Sequence, residues 1–592
     1  MRCEPLMVLL GPNNHGKSNI LRAIEFGLST SEKPTTEDLF AFHAPEDDSL
    51  WVELTFGELT SQEQNTFNRH LLKDGSLRVR KAAKRTEDGG MEVQISAYLD
   101  EPTEPWLRAE GVDELVERDK AEKTPLKTLL PDKGRLTRKS IEEAQAKYVQ
   151  EHRDDLAFEV RLGPLLGPKN VGGGSLPDFY LVPAVRDLTD ELKVKNTTAF
   201  GRLLNRAVQE MAERDPKFRA IRESLVRLIG SFNVGANGEA DRPSQLIQLE
   251  MALQAELQPW DVTVGIEVKP PDIERVFELG TSLQLDDGLR TLAELKGHGL
   301  QRAVIFAFLR AWAKLLRATP PSDGSLLPRK SSESAVFAVE EPEMFLHPHA
   351  QRRLARAIEE IAETPQHQVF LCSHSTHFID MDAYRRICIV TKKTSQSGTR
   401  VRQCHVDLFE GADSKERKSR FHMASWINPD RGEMLFAKRV ALVEGETEKA
   451  VLPFLARTLG CFDADVSVID CGSKGNLPLY MNVANAFAIP YVVVHDEDPL
   501  PSPIPVEWDE DRKRAAQETF RLNQVIAKAT DPMLGRIEVL APDFEHVAGV
   551  SASQGKKKGK ALAALDHLMA EGPDQVPERL KELVHVTYRP GA

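Results

Sequence analysis

Cysteine is scarce. The six in this chain (Cys3, Cys372, Cys388, Cys404, Cys461 and Cys471) form no C-x-x-C pair and no zinc-type spacing. That excludes a thiolate metal centre and predicts free thiols in a reducing cytoplasm. Long apolar runs are missing: none approaches the roughly 18 residues that would cross a bilayer, so no membrane span is expected. The N-terminus enters a strand directly, with no signal peptide before it. Net positive charge is missing too. At −13 the chain is not coated uniformly for nucleic acid, although a local basic groove is compatible with that balance. Basic runs occur at Arg78–Lys81 with Lys84 and Arg85, at Lys415–Arg420, and at Lys556–Lys558. Taken singly, each is more often a solvated face than a binding site.

What is present is an ordinary soluble composition, 41% hydrophobic and 28% charged, in 592 residues. That length exceeds one hydrophobic core, so about two to four domains are expected.

Gly11-Pro12-Asn13-Asn14-His15-Gly16-Lys17-Ser18 fits G-x-x-x-x-G-K-[ST]. The apolar run Leu6–Leu10 precedes it as a buried strand, and helical spacing follows from Ser18 to Ile24. In that context the glycines let backbone N–H groups close around phosphate oxygens, and the helix N-terminus adds a favourable dipole. Lys17 would reach the β- and γ-phosphates, and the Ser18 hydroxyl would ligate Mg²⁺. Gly11, Asn13, Asn14, Gly16, Lys17, Ser18 and Asn19 are therefore the expected ATP contacts.

Strand alternation at Leu50–Phe56, Ser76–Arg80 and Met91–Leu99 predicts an antiparallel patch beside the nucleotide loop. From Asp100 to about Gly174 the chain is polar, with helical pieces such as Ile141–Glu151. Asp178–Pro183 reads as a strand. Residues 188–231 and Ser244–Leu257 carry helical periodicity, suiting a helical arm, a dimerisation element or a cap packed on its own domain. Val262–Val268 and Ser282–Leu285 read as strands, and residues 289–318 as a helix. Ala335–Val339 and Gln368–Cys372 are apolar strands, residues 390–435 a polar linker. Strand–helix alternation restarts at Val440 and continues to about Leu568, predicting a second α/β domain.

Two groups of residues add chemistry to the phosphate loop. The strand Val336–Val339 ends in Glu340-Glu341-Pro342-Glu343. One acid there can hold the Mg²⁺ water shell; the next can orient or deprotonate the attacking water. Ser373-His374-Ser375 follows the next strand, where a histidine can contact the γ-phosphate.

This order resembles the ABC-type ATPases of the SMC and RecF kind. Gly11–Ser18 looks like their Walker A, and Glu340-Glu341-Pro342 like Walker B, with Glu at the usual Asp position. Gly297-His298-Gly299-Leu300-Gln301 looks like a variant signature loop, with Lys296 where Ser is usual. His374 looks like the switch histidine. The resemblance implies a dimer in which Gly297, Gly299 and Gln301 of one protomer complete the ATP site of the other. His43 and Asp47–Asp48 lie where a Q-loop is expected, without a motif to fix them.

A second centre of acids follows. Val440–Val443 leads into Glu444-Gly445-Glu446-Thr447-Glu448, Ser467–Asp470 into Gly472-Ser473-Lys474-Gly475-Asn476, and Pro490–His495 into Asp496-Glu497-Asp498. Adjacent parallel strands present their C-terminal ends together, so Glu444, Glu448, Asp496 and Asp498 are expected to converge. Hard oxygen ligands without Cys or His select Mg²⁺ or Mn²⁺ and suit two-metal phosphodiester hydrolysis. The pattern resembles a Toprim domain.

An SMC/RecF-like ATPase followed by a Toprim domain looks like the OLD (overcoming lysogenization defect) nuclease family, over about residues 1–30, 176–390 and 430–570. Length and late motifs look like the class 2 members, which include the Gabija anti-phage nuclease subunits. The resemblance implies a further metal ligand at Glu545, in Pro542-Asp543-Phe544-Glu545. It also implies a catalytic lysine, for which Lys560 matches best beside Lys556–Lys558, and a phosphate contact at Lys474. It further implies an additional strand upstream of Met1.

The expected fold class is thus α/β: an SMC/RecF-like ABC ATPase domain with an inserted helical dimerisation element, followed by a Toprim α/β domain. The expected division is 1–185 and 261–430 for the ATPase, 186–260 for the insertion and 431–592 for the Toprim domain. The expected function is an ATP-binding, metal-dependent DNA endonuclease in phage defence or repair. Expected partners are DNA, a second or further copy of the chain through the ATPase half, and a UvrD-like helicase. Glu341, His374, Glu444, Asp496 and Lys560 carry the catalytic expectation. The alternative is a DNA-loading or clamping ATPase with a non-cutting Toprim domain. Strand passage needs a tyrosine in a winged-helix domain, and the chain, with 7 tyrosines, shows no such domain.

Overall fold

Leu6–Leu10 (β1) is apolar and buried at every position, as a strand covered on both faces must be. The computed structural model describes residues 1–29, 33–42, 48–86, 88–131, 135–152, 155–165, 176–182, 201, 204, 215–230, 243–257, 265–266, 282–301, 303–307, 334–380, 383–408, 429–550 and 559–589. β1 leads through the glycine loop into the helix Lys17–Leu28. An antiparallel meander follows: β2 (Ser49–Phe56), β3 (Leu77–Arg85), β4 (Met91–Pro102) and β5 (Phe158–Pro164), paired in that order. The helix Arg138–Glu151 precedes β5.

Next come β6 (Asp178–Val182), the hairpin β7 (Gln284–Asp286) and β8 (Arg290–Leu292), β9 (Ala335–Glu340), β10 (His367–Cys372), β11 (Ile387–Thr391) and β12 (Arg400–Gln403). The main sheet runs β12-β11-β1-β10-β9-β6. It is parallel throughout except for β12, which is antiparallel to β11. The C-terminal sheet contains β13 (Arg439–Val443), β14 (Val466–Asp470), β15 (Tyr491–Asp496) and β16 (Gly535–Leu540), ordered β14-β13-β15-β16 and all parallel.

Three readings of the sequence need correction. The helix expected over 289–318 does not begin there: Asp286–Gly288 turns the chain, Gly288 takes φ +105°, and Arg290–Leu292 pairs back on Gln284–Asp286. A single 3-10 turn, Ala293–Leu295, follows, and α-helical residues start at His298. The expected linker 390–435 contains the end of β11 and all of β12, whose residues are largely exposed because an edge strand has one partner. β5 lies in a stretch that reads as polar; its Val160 and Leu162 are exposed, so the apolar face marks no core. Of the expected insertion, Pro216–Gly230 and Ser244–Leu257 are helices. Leu203, Val208, Met211, most of Val262–Val268, Arg302, Lys415–Arg420 and Lys556–Lys558 lie outside the described residues.

One buried apolar cluster joins the two parallel sheets. It runs from Leu6, Val8, Phe337 and Val369 to Val440, Leu442, Ile469 and Tyr480. The other face of the C-terminal sheet has its own cluster, with Val443, Val492 and Val494 packed against Val451, Leu455 and Leu583. Among the described residues no helix is long and apolar enough to cross a membrane. All six cysteines are free thiols, five of them buried.

Candidate functional site

The glycine loop is shaped by positions that only glycine fills without strain. Gly11 has φ +147° and Gly16 φ +96°, and a Cβ on Gly11 would stand 2.2 Å from the Val390 carbonyl oxygen. Lys17 opens the following helix, buried at 7% exposure. Its Nζ donates to the Gly11 carbonyl at 2.8 Å and the Pro12 carbonyl at 3.0 Å. Burial pushes its pKa down, against the opposing pull of Cys372, Glu341, Glu343 and Glu340. Asn13, Asn14, Ser18 and Asn19 are exposed at the mouth of the loop.

β10 lies between β1 and β9, with Leu9 level with Cys372 and Cys372 level with Glu340. The loop, the acids and the histidine therefore meet at one end of the sheet. Glu341 takes φ +40°, and its N–H donates to the Cys372 carbonyl at 2.8 Å. The His374 N–H donates to Glu343 Oε1 at 2.5 Å, and His374 Nε2 stands 3.9 Å from Glu341 Oε1. That nitrogen is buried without a hydrogen-bond partner. Burial, reinforced by Lys17, lowers the His374 pKa, so the ring is neutral near pH 7. A buried unpartnered nitrogen beside a carboxylate can take a phosphate oxygen or a water.

Gly297–Gln301 packs on the turn after these acids. A Cβ on Gly299 would lie 3.4 Å from the Phe345 carbonyl oxygen, and the His298 and Phe345 ring centroids are 5.2 Å apart. Gln301 faces inward at 1% exposure; its Nε2 donates to the Glu294 carbonyl at 2.9 Å and the Lys296 carbonyl at 2.8 Å. Lys296 is engaged with its own hairpin, through Asp287 and the Leu289 carbonyl. Gln301 thus shapes the loop, leaving Gly297 and Gly299 on its outer side. His43 and Asp47 lie outside the described residues; the Asp48 carbonyl accepts from Arg85 N–H.

The second centre forms where β13 and β15 end side by side. Glu444 follows β13, and its Oε1 accepts the Asp496 N–H at 2.8 Å. Asp496 closes β15, and its Oδ1 accepts at 2.8 Å the N–H of Phe544, first residue of the short helix Phe544–Val547 after β16. Glu448, one turn into the helix Glu446–Thr458, accepts the Gly445 N–H at 3.2 Å. Lys474 Nζ donates to the Asp496 carbonyl and, at 2.9 Å, to Asp498 Oδ2. Lys560, first in the helix Lys560–Glu571, pairs with Glu545 at 2.5 Å.

Burial is the largest cause that raises each of the three inner acids, and nearby carboxylates add to it: Asp498 and Glu545 for Glu444, Glu444 and Glu545 for Glu448, and Glu444, Glu448 and Asp498 for Asp496. Glu444 is raised, Glu448 is pushed up to about 7 and Asp496 up to about 8. Burial alone lifts a carboxyl; the added repulsion marks a site that a cation would relieve. The donor set is all carboxylate oxygen, which fits Mg²⁺ or Mn²⁺. Among the described residues, however, no three such side chains are already gathered on one ion-sized point. Each acid is turned to a donor of the chain itself.

Residues 2–379 match the family described as AAA ATPase domain, and residues 435–498 the one described as Overcoming lysogenization defect protein-like, TOPRIM domain. This chain belongs to the AAA ATPase domain family, with an OLD-like Toprim domain after it. It is 28% identical over 298 residues to the OLD nuclease of Thermus scotoductus, covering 50% of this chain and 53% of the relative. To the Old nuclease of Escherichia phage P2 it is 26% identical over 348 residues, 56% of each chain. To the Endonuclease GajA of Bacillus cereus it is 25% identical over 228 residues, 34% of this chain and 31% of the relative. The chain thus spans about half the length of the first two relatives.

Three residues of the ATPase–Toprim chain matter more than their sequence context suggests. Glu343 is the anchor of the His374 backbone. Lys474, expected to meet phosphate, lies inside the Toprim acid centre at 4% exposure. Arg431, in the short helical segment Pro429–Leu435, donates from Nε to the Asp470 carbonyl at 2.6 Å, tying the approach to the Toprim domain to its glycine loop. Each contact spans 24 or more residues in sequence, so no local motif carries it.

Proposed function

We propose that this chain is an ATP-binding, metal-dependent DNA endonuclease that cuts or nicks DNA in its Toprim domain under control of the ATPase. The observation that carries this reading is the approach of Glu444 and Asp496 at the ends of neighbouring parallel strands, with Glu448 one helical turn beyond Glu444 and all three acids raised by burial. Glu444, Glu448, Asp496, Asp498 and Glu545 would hold Mg²⁺ or Mn²⁺. Bound there, divalent ions supply an acidified water and charge stabilisation at the leaving oxygen. Lys560, 69% exposed and paired with Glu545, would neutralise charge growing on the scissile phosphate.

In the ATPase half, Lys17 and its loop would bind the phosphates, Ser18 and Glu340 the Mg²⁺ shell, and Glu341 the attacking water, with His374 beside it. Gly297 and Gly299 would complete the site of a second copy, while Gln301, buried and bonded to the Glu294 and Lys296 carbonyls, would hold their loop in shape and not reach that site itself. Ile221 and Leu228, seven residues apart on one insertion helix and both exposed, support a homodimer or higher homo-oligomer, as an unburied apolar helix face can mark association. A role in phage defence or DNA repair in the cytoplasm, with a UvrD-like helicase as partner, rests on the resemblance to class 2 OLD and Gabija nucleases.

Conversion of supercoiled plasmid to nicked or linear forms, with Mg²⁺ or Mn²⁺, tests the reading. Glu444→Ala and Asp496→Ala should each abolish it; cleavage equal to the parent's would sink the nuclease assignment. A second reading, a DNA-loading ATPase with a non-cutting Toprim domain, draws on the intramolecular donor that each acid already holds. DNA-stimulated ATP hydrolysis without any nicking by the parent would favour it.

A further inference from the structure

Lys474 is the residue of the Toprim centre whose placement a phosphate contact does not explain. It opens the short helical turn Lys474–Asn476 after β14 and is 4% exposed. Its ammonium is turned away from solvent, onto the Asp496 carbonyl and Asp498 Oδ2. The same Asp496 carbonyl accepts from His495 Nδ1 at 2.8 Å. A lysine buried this deeply is held by its acceptors.

Both partners of the pair are fixed by backbone. Asp498 takes φ +47°, and its N–H donates to the Pro542 carbonyl at 3.1 Å. Glu497 N–H donates to the Leu540 carbonyl at 2.8 Å. On the other side, Gly472 N–H donates to Asp470 Oδ1 at 2.6 Å, and Asn476 Nδ2 to the Cys471 carbonyl at 2.8 Å. Arg431 holds Asp470 from the preceding segment. The lysine stem can swing; the backbone carrying Asp498 cannot readily withdraw.

A divalent ion bound by Asp498 needs its carboxylate oxygens at about 2.0–2.2 Å. An ammonium at 2.9 Å from Oδ2 would then sit against that ion with like charge. We propose that Lys474 is the built-in occupant of one cation position of the centre, and that a divalent ion reaches Asp498 only when the Lys474 ammonium leaves. This rests on the reading of the acids as a metal site. The exchange makes loading at Asp498 conditional. The Glu444, Glu448 and Asp496 carboxylates are held by backbone N–H groups and not by Lys474, whereas Asp498 becomes available only once the ammonium finds another acceptor. A phosphate oxygen arriving with DNA is such an acceptor.

Nucleotide-free full-length protein, titrated with Mn²⁺ by calorimetry and by the electron paramagnetic resonance of free Mn²⁺, tests this without reference to cleavage. Lys474→Met should bind one Mn²⁺ more per chain than the parent, or bind its weakest Mn²⁺ at least ~10-fold tighter. Mn²⁺ should also raise its thermal midpoint more than the parent's. Lys474→Arg keeps the charge in place and should match the parent. Mn²⁺ binding by folded Lys474→Met that equals the parent's overturns the exchange alone. If Lys474→Met is unfolded by circular dichroism, Lys474→Arg decides: an extra or tighter Mn²⁺ there overturns the exchange, and parental binding supports it. Absence of Mn²⁺ binding by the parent and both variants overturns the metal reading, and the exchange with it.

Discussion

The rings of His374 and Phe436 lie 6.5 Å apart with their planes 29° from parallel. The first follows β10 of the ATPase sheet; the second belongs to the segment leading into the Toprim sheet. The same segment carries Arg431 onto the Asp470 carbonyl and receives Ser467 Oγ at Glu433 Oε1, 2.8 Å. A chain of contacts thus runs from His374 to within a few residues of the Toprim glycine loop. Phe436→Leu keeps apolar volume and removes the ring. ATP hydrolysis and nucleotide-free nicking should stay near parental levels. The change in nicking on adding ATP, in either direction, should shrink ~5-fold or more, the lower range of ordinary allosteric coupling. An undiminished response to ATP would remove this contact from the coupling route.

Lys17→Ala separates the two centres. It removes the cation held between the Gly11 and Pro12 carbonyls, and ATP hydrolysis should drop by at least ~10²-fold, the scale of losing one preorganised charge donor. Mn²⁺ binding at the Toprim acids should be unchanged, because Lys17 makes none of their contacts. Loss of Mn²⁺ binding in this variant would show that the centres are not separable.

The raised acids give a pH dependence with a definite sign. Asp496 at about 8 and Glu448 at about 7 hold protons in the folded chain that an unfolded carboxyl, titrating near ~4, has released. Between those limits the folded state binds more protons, so stability falls as pH rises. The facing groups are Glu444, Asp498, Glu545, Lys474, Lys560 and His495. In EDTA, the unfolding free energy from urea titration should therefore fall between about pH 5 and 8, with a slope of up to about 1.4 kcal/mol per pH unit for each group. Mn²⁺ should flatten that fall, since a cation favours the ionised acids. An EDTA profile that rises over this window would refute the assignment of these shifts.

Gly11→Ala tests the close approach of the nucleotide loop to β11. The new Cβ meets the Val390 carbonyl oxygen at 2.2 Å, in a backbone conformation at φ +147°. Strain of about 1–3 kcal/mol is expected from the backbone alone. The urea midpoint should drop and ATP affinity should weaken; an unchanged midpoint would mean the loop has another conformation.

Much of the fold was legible locally. β1, β9, β10, β13, β14 and β15 are short apolar runs because parallel strands buried on both faces need them, and each falls within a residue or two of its expected bounds. Gly11–Ser18 was legible because motif, strand and helix coincide. β5 and β12 were not, since an edge strand takes its conformation from a distant partner: Tyr98 pairs with Leu162, and Val390 with Val401. The hairpin at 284–292 was hidden by the Leu- and Ala-rich residues after it. In the candidate sites the acids were visible at strand ends, but their donors were not. Asp496 N–H reaches Glu444 across 52 residues, and Phe544 N–H reaches Asp496 across 48.

The apolar cluster that runs from Leu6 and Phe337 through Met434 and Leu435 to Leu442 and Tyr480 bears on how such chains diverge. Two domains with a common wall are not interchangeable cassettes. A Toprim unit grafted from a relative would bring its own version of the helix Leu477–Phe487, whose Tyr480, Val483, Ala484 and Phe487 are buried in that cluster. The graft would have to be repacked from both sides before it folded well. A substitution on one side of this wall therefore has to be accommodated by side chains of the other side.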